Sequence, residues 1–202
     1  MKFWLMSLAE GPLSSPLGSV MPDTEFSKAA SLCGSTPAAV RKVFRAANAN
    51  TVEMQLAKAG SPTVEREHQV IPDLLFWVST PIFSERAASL AIEFGCDSEE
   101  FWPCRFDTNQ EEKFFFHLPL RSFDIIDYEK SSFSMTIPST PPLPMFIQAI
   151  TIKEVVGFIA PCFRASIPGR EQVLTELFVL DNFKSAWELR GFSGAAFRLL
   201  SD

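Results

Sequence analysis

The sequence predicts an α+β chain: a single domain over residues 1–202, with a mixed or mostly antiparallel sheet, packed helices and a helical elaboration over residues 20–65. Three observations lead there. Apolar residues make up 47% of the chain, and twenty of its residues are Phe. Each fully buried Phe contributes about 1.5–3 kcal/mol, so a large core is available and disorder of the whole chain is excluded. Short apolar runs and short helical stripes are interspersed without regular βαβ spacing. Helix start and stop signals bracket only brief segments, at Thr36-Pro37, at Ser84 and Gly95, and at Asp181 and Gly191.

Taken in order, MKFWLM reads as a first strand, and Gly11-Pro12 with SSPLGS (14–19) reads as turn and loop. Val40, Val43, Phe44 and Ala47 recur at helical spacing behind the Thr36-Pro37 start. A second short helix is expected over 52–59, closed by Gly60-Ser61-Pro62. LLFWV (74–78) is a buried strand. Ser84 then caps a helix whose stripe is Ala87, Leu90, Ala91 and Phe94. Strands over 100–106 and 113–118, joined by DTNQEE, suit a hairpin, and Pro103 marks the first as an edge strand or a bulge. A short apolar element spans 123–128, PSTPPLP (138–144) is a rigid connector, and 145–156 is strand-like. Phe163-Arg164 continues the alternating region, and 177–180 is a buried strand. A helix from Asp181 through Leu189 follows, and Gly194 turns the chain into 195–200. No internal repeat is visible.

The opening residues form too short an apolar run for a secretory leader, and no window reaches the length of a membrane span. The four cysteines are scattered, which suits reduced thiols and a cytoplasmic address. Charge is uneven. The formal total is -6, yet residues 1–60 carry +2, residues 61–202 carry -8, and residues 93–129 alone carry -7. That acidity favours a basic partner and disfavours nucleic acid at the same surface. The residues expected to meet a partner are Asp97, Glu99, Glu100, Asp107, Glu111 and Glu112, with Trp102 as an aromatic anchor.

Chemistry is sparsely signalled. With two histidines and no Cys-x-x-Cys or His-Glu-x-x-His, no metal site is expected. Cys96 and Cys104 would need two distant ligands, so the cysteines read as packing. GFSGAAF (191–197) departs from the Gly-x-Ser-x-Gly elbow, because Gly194 follows Ser193 directly. Phosphate-cradling glycine loops are missing, no cofactor is expected, and the paired acids Glu99-Glu100 and Glu111-Glu112 sit in polar loops unsuited to a glycosidase pair. FSKAASLCGSTPAAVRKVFR (26–45) fits helix-turn-helix spacing through Ala30, Gly34 and Val40. In that alternative, a DNA-binding regulator, Arg41, Lys42 and Arg45 would face the nucleic acid. The match rests on three small or apolar positions that many plain helical hairpins share, and a hairpin with a solvated basic face is the preferred reading.

Several segments, in order, resemble a family of bacterial immunity proteins from polymorphic-toxin loci, formerly a domain of unknown function. These are WVSTPIFSERAASLAIEFG (77–95), EEFWPCRF (99–106) with Pro103, KFFFHLPL (113–120), FDIIDYEKSSF (123–133) with Asp127 and Ser131, PCFRAS (161–166) with Phe163-Arg164, and LFVLDNFKSAWELRGFSGAAF (177–197). The resemblance covers about residues 70–200. Residues 20–65 lie outside it, and His117-Leu118-Pro119 stands where the family has a polar residue. It implies a stoichiometric inhibitor and not an enzyme, one that neutralises a cognate toxin or effector domain by direct contact. The charge reading makes that partner basic, and the motif reading expects no nucleic acid, membrane or cofactor.

Overall fold

In the structure, a computed structural model, the residues described are 1–9, 18–19, 37–46, 52–55, 71–77, 80–106, 112–137, 143–155, 157, 159–169, 173–174 and 176–201. The elements run β1 (Phe3–Leu8), β2 (Gly18–Ser19), α1 (Pro37–Ala46), β3 (Val52–Gln55), β4 (Leu74–Trp77), β5 (Thr80–Ser84) and α2 (Glu85–Glu93). A 3₁₀ turn (Ser98–Glu100) leads into β6 (Phe101–Phe106), β7 (Phe114–His117), β8 (Ser122–Phe123), β9 (Ser132–Ile137) and β10 (Leu143–Ala149). The chain closes with β11 (Cys162–Ala165), β12 (Leu177–Leu180), α3 (Asp181–Leu189) and β13 (Ala195–Ser201). The chain is α+β, as the sequence predicts, but mostly sheet. No described helix is long and apolar enough to cross a membrane.

One sheet has the order β13-β1-β12-β11-β8, a second β2-β3-β6-β7-β5-β4, and β9 and β10 form a separate ribbon. Both larger sheets are mixed: β11 pairs with β8, and β3 with β6, in parallel. The first strand expected from MKFWLM lies inside its sheet, antiparallel to both β12 and β13. Burial on both faces explains its nearly continuous apolar run.

The structure contains two units of the same plan. Strand β5, helix α2 and strand β6 form a crossover around β7, which pairs antiparallel with both strands. Strand β12, helix α3 and strand β13 do the same around β1. Each helix has nine residues and is followed at the same position by a glycine with positive φ, Gly95 at 113° and Gly191 at 65°. The inserted strand comes from the C-terminal side in one unit and from the N-terminus in the other. The likeness is therefore in chain path and not in residues, which is why the sequence shows no repeat.

Side-chain alternation sorts the core into layers. Val40 and Phe44 of α1 pack on Ile82, Phe114 and Phe116, on one face of the six-stranded sheet. The next residues along those strands, Phe83 and Phe115, face the opposite way, into a layer holding α2, α3 and the β1/β12 residues Met6, Leu177 and Val179. Phe3, Leu5, Phe163 and Phe178 lie on the far side of the five-stranded sheet, against Ile125, Ile126 and Ile150. The two helices thus sit between the two sheets, and Arg190 donates to both oxygens of Glu93 at 2.9 and 2.8 Å where their last turns meet.

Several expectations need correction. The helical elaboration over 20–65 is not supported. Within it one helix is described, while 52–55, expected to be helical, form a strand paired with β6 and β2. VEMQ has no apolar stripe for a helix to bury, and strand pairing satisfies its backbone instead. Residues 20–36, 47–51 and 56–65 lie outside the described residues. Pro103 does not mark an outer strand, since β6 lies between β3 and β7. However, β3 reaches only 104–106, so one side of Pro103 stays unpaired, and the missing N–H leaves no gap there. Asp181 is the first residue of α3 and not its cap. Its carboxylate accepts from Trp4 Nε1 at 2.9 Å, joining the helix to β1.

Candidate functional site

The window FGCDSEEFWPCRF (94–106) connects α2 to β6, and the structure divides its residues between a surface turn and a buried centre. Gly95, with its positive φ, ends the helix and sends Cys96 inward. Asp97 accepts a hydrogen bond from the Glu99 N–H at 2.9 Å and caps the 3₁₀ turn, leaving Asp97 and Glu99 exposed. Beneath the turn the guanidinium of Arg41, from α1, donates to the Glu99 carbonyl at 2.6 Å and also to the Leu118 carbonyl. The turn is therefore tied to two other parts of the fold. Leu120, 48% exposed, adjoins it, its backbone N–H donating to Glu100 Oε1 at 2.9 Å.

Below this turn lies the densest group of reactive side chains among the described residues. Cys96 Sγ and Cys162 Sγ are 3.3 Å apart, Cys162 Sγ is 3.8 Å from His117 Nε2, and His117 Nε2 is 3.5 Å from Glu100 Oε2. Cys162 and His117 are wholly buried, and Cys96 and Glu100 are 5% exposed. Sheet alternation explains how they meet. His117 shares the inward face of β7 with Phe115, and Cys162 leads β11 from the opposite sheet. The imidazole is held by stacking between Phe83 and Phe101, with centroids at 5.5 and 5.1 Å. Glu100 Oε2 and His117 Nδ1 are buried without a hydrogen-bond partner.

The charges within this centre support one another. The hydrogen bond from Cys162 brings the Cys96 thiol down to about 6 against the opposing effect of burial, and His117 adds to the shift. Burial and the neighbouring Cys96 push Cys162 well up. Burial opposes the charged forms of both His117 and Glu100, yet contact with Cys96 and then Glu100 raises His117, and contact with His117 and the Leu120 N–H lowers Glu100. Cys96, Cys162 and His117 are a donor set with the chemistry of a metal centre, their ligand atoms lying within 4.8 Å of one another.

Sequence reasoning missed this grouping because it paired the wrong cysteines. Cys104 lies in the core on the α1 side of the six-stranded sheet, away from Cys96, and burial pushes its thiol up. The partner of Cys96 is 66 residues away. The signal in the sequence was slight: Cys162 opens a buried run, and His117 stands two residues from Phe115 in a strand.

The expected partner-binding residues do not form one patch. Asp97 and Glu99 are exposed together on the turn. Glu100, by contrast, is buried in the centre and withdrawn from any partner, because its carboxylate serves Leu120 and the imidazole. Trp102 is partly buried and packs against Phe44 at 5.7 Å, so it belongs to the core beneath α1. Glu112 is exposed but stands at the other end of the hairpin. The register Phe101↔His117 and Cys104↔Phe114 places it about 20 Å from Glu99 at about 3.4 Å per residue. Burial and the nearby Asp73 hold its carboxyl above the ordinary value. Asp107 and Glu111 lie outside the described residues.

Arg41 does not face outward as a helix-turn-helix would require. It is 6% exposed and occupied by carbonyls, while Lys42 and Arg45 remain exposed on α1. Residues 26–36 of that motif lie outside the described residues. The segments carrying the family resemblance have structural work. Ser131 donates to the Asp127 carbonyl at 2.6 Å and accepts from the Thr151 N–H at 3.0 Å, closing a turn, and Phe163 is buried in β11.

A second buried polar group was also invisible in the sequence. Asp73, 3% exposed at its side chain, accepts from Ser84 Oγ at 2.7 Å, Arg86 Nη2 at 2.6 Å and the Ser193 N–H at 2.8 Å. It also accepts from Arg86 Nε and Ser193 Oγ. Ser84 in turn caps α2 by accepting from the Ala87 N–H at 3.3 Å. The carboxylate therefore joins the start of α2 to the loop before β13.

No family model matches the chain, and no curated protein matches it.

Proposed function

We propose that this chain is a binding protein, not an enzyme, and that it neutralises a cognate bacterial toxin by direct contact. The observation that carries the reading is the division of the window 94–106. Its reactive groups are sealed between two sheets, where no substrate can turn over, and its exposed acids sit on a turn fixed from below. The ordered resemblance to immunity proteins over about residues 70–200 supplies the partner class. The contact surface is narrower than the sequence predicts: Asp97 and Glu99, with Leu120 as an apolar neighbour.

A turn already held by Arg41 and the Asp97 cap loses little freedom on binding, so less interaction energy goes into ordering it. Two adjacent carboxylates steer a basic partner toward the site and raise the association rate. The DNA-binding alternative loses Arg41 to the interior.

The test is co-expression with the toxic domain encoded by the neighbouring reading frame, followed by affinity purification. Growth rescue with a co-purifying complex is the expected result. Failure of both would refute the proposal.

A further inference from the structure

The geometry points to a structural zinc site built from Cys96, Cys162 and His117, with Glu100 as the fourth donor, that fastens the two large sheets to each other. The donors come from three places in the fold: the α2–β6 connection, the end of β7 and the start of β11. Cys162 belongs to the five-stranded sheet and His117 to the six-stranded one, so a shared ion crosses the layer between them.

Tetrahedral zinc with bonds of about 2.3 Å to sulfur and about 2.0–2.1 Å to nitrogen separates two sulfurs by about 3.8 Å and sulfur from nitrogen by about 3.5 Å. The 3.3 Å between Cys96 and Cys162, and the 3.8 Å from Cys162 to His117, lie within about 0.5 Å of those values. A small outward movement of Cys96 opens the room an ion needs. Two soft thiolates and a borderline imidazole suit zinc rather than magnesium or calcium, and a single carboxylate is compatible with that set.

Independent support comes from Glu100. Its Oε2 is buried, has no hydrogen-bond partner and lies 3.5 Å from His117 Nε2. A buried carboxylate oxygen whose nearest partner is an imidazole at 3.5 Å is incompletely satisfied, and metal coordination would complete it. Its other oxygen is anchored by the Leu120 N–H, which leaves Oε2 directed at the imidazole. The stacking of His117 between Phe83 and Phe101 fixes the plane of the ring. On binding, Cys162 and the Cys96–His117 pair together release two protons to solvent, which leaves two thiolates and a neutral imidazole with Nε2 as the donor. No electron transfer is involved.

The test uses the full chain, purified without a metal-chelating tag from cells supplied with zinc. Elemental analysis should give about one zinc per chain. Stripping with a chelator and adding Co(II) should then produce the thiolate-to-metal charge-transfer band of a tetrahedral sulfur site. This spectrum needs no variant, so it decides the matter even if substitutions prevent folding. Cys96→Ser and Cys162→Ser should lose the ion, and Glu100→Gln should weaken zinc binding by at least about tenfold. Cys104→Ser should retain it. Three results would overturn the proposal: no metal above trace, cobalt bound without a thiolate band, or a mass deficit of two hydrogens showing a Cys96–Cys162 disulfide instead.

Discussion

Replacing Asp73 with Ala tests how the N-terminal end of α2 is joined to the C-terminal strand. The carboxylate is buried and accepts from Ser84, Arg86 and Ser193. Removing it leaves the fully buried Ser84 hydroxyl and the Ser193 N–H without their acceptor, at about 1.5–3 kcal/mol for each bond to a charged group. The Arg86 pair adds little, because that guanidinium is 56% exposed and re-solvates, so about 0–1 kcal/mol is its share. A total loss of about 3–7 kcal/mol follows, overlapping that for breaking a buried pair from its charged side. In a chain of this length each kcal/mol lowers Tm by about 2–4 °C, so calorimetry should register a fall between about 6 and 28 °C. Arg86→Ala leaves the serine bonds in place but takes the charged partner from a buried carboxylate, so it should cost about 1–3 kcal/mol, less than Asp73→Ala. Equal losses from the two substitutions, or a loss below about 1 kcal/mol for Asp73→Ala, would refute the reasoning. The pH dependence has a definite sign. Burial opposes the charged carboxylate, but hydrogen bonds from Arg86, Ser193 and Ser84 hold Asp73 below its ordinary value. The contribution is therefore present above the unfolded carboxylate range and is lost as pH falls through the lower folded value. The difference in stability between the native chain and Asp73→Ala should shrink on acidification.

Gly194→Ala should cost about 2–4 kcal/mol in urea unfolding, combining left-handed strain with overpacking. Its φ is +87°, and a Cβ there would lie 2.5 Å from the Leu74 carbonyl oxygen and 2.8 Å from Pro72 Cβ. Gly157→Ala, at φ +108° with open space around it, should cost only about 1–2 kcal/mol. Trp187→Ala should cost about 3–5 kcal/mol, since this buried ring touches Phe83, Phe183, Phe192 and Phe197. Trp187→Phe should cost less than half as much, because Trp187 Nε1 is buried without a partner and its removal relieves that penalty.

What was legible in the sequence was local. Ser84 before an apolar stripe and Gly95 after it mark α2 to within a residue, and the pattern over 100–118 shows the β6–β7 hairpin. Strand β3 was hidden because a four-residue strand carries too little pattern to outweigh a helix reading, and its pairing with β6 is a matter of tertiary context. The candidate site was hidden for the same reason on a larger scale. Cys96, His117 and Cys162 meet only once two sheets face each other, and Asp73 finds Ser193 across 120 residues. The acids of 97–112 looked like one patch because charge was counted along the chain. A hairpin separates its two ends, and one carboxylate of the set, Glu100, points inward.

The most direct test of the central claim is calorimetric titration of the toxic domain from the neighbouring reading frame into the purified chain, at low and at high salt. A one-to-one complex whose affinity falls with salt is the expected result. Paired Asp97→Lys and Glu99→Lys substitutions should weaken it by about tenfold or more, one decade corresponding to about 1.4 kcal/mol. Absence of binding would contradict the proposed function. Tight binding unaffected by those two substitutions would contradict the assignment of the turn as its contact surface.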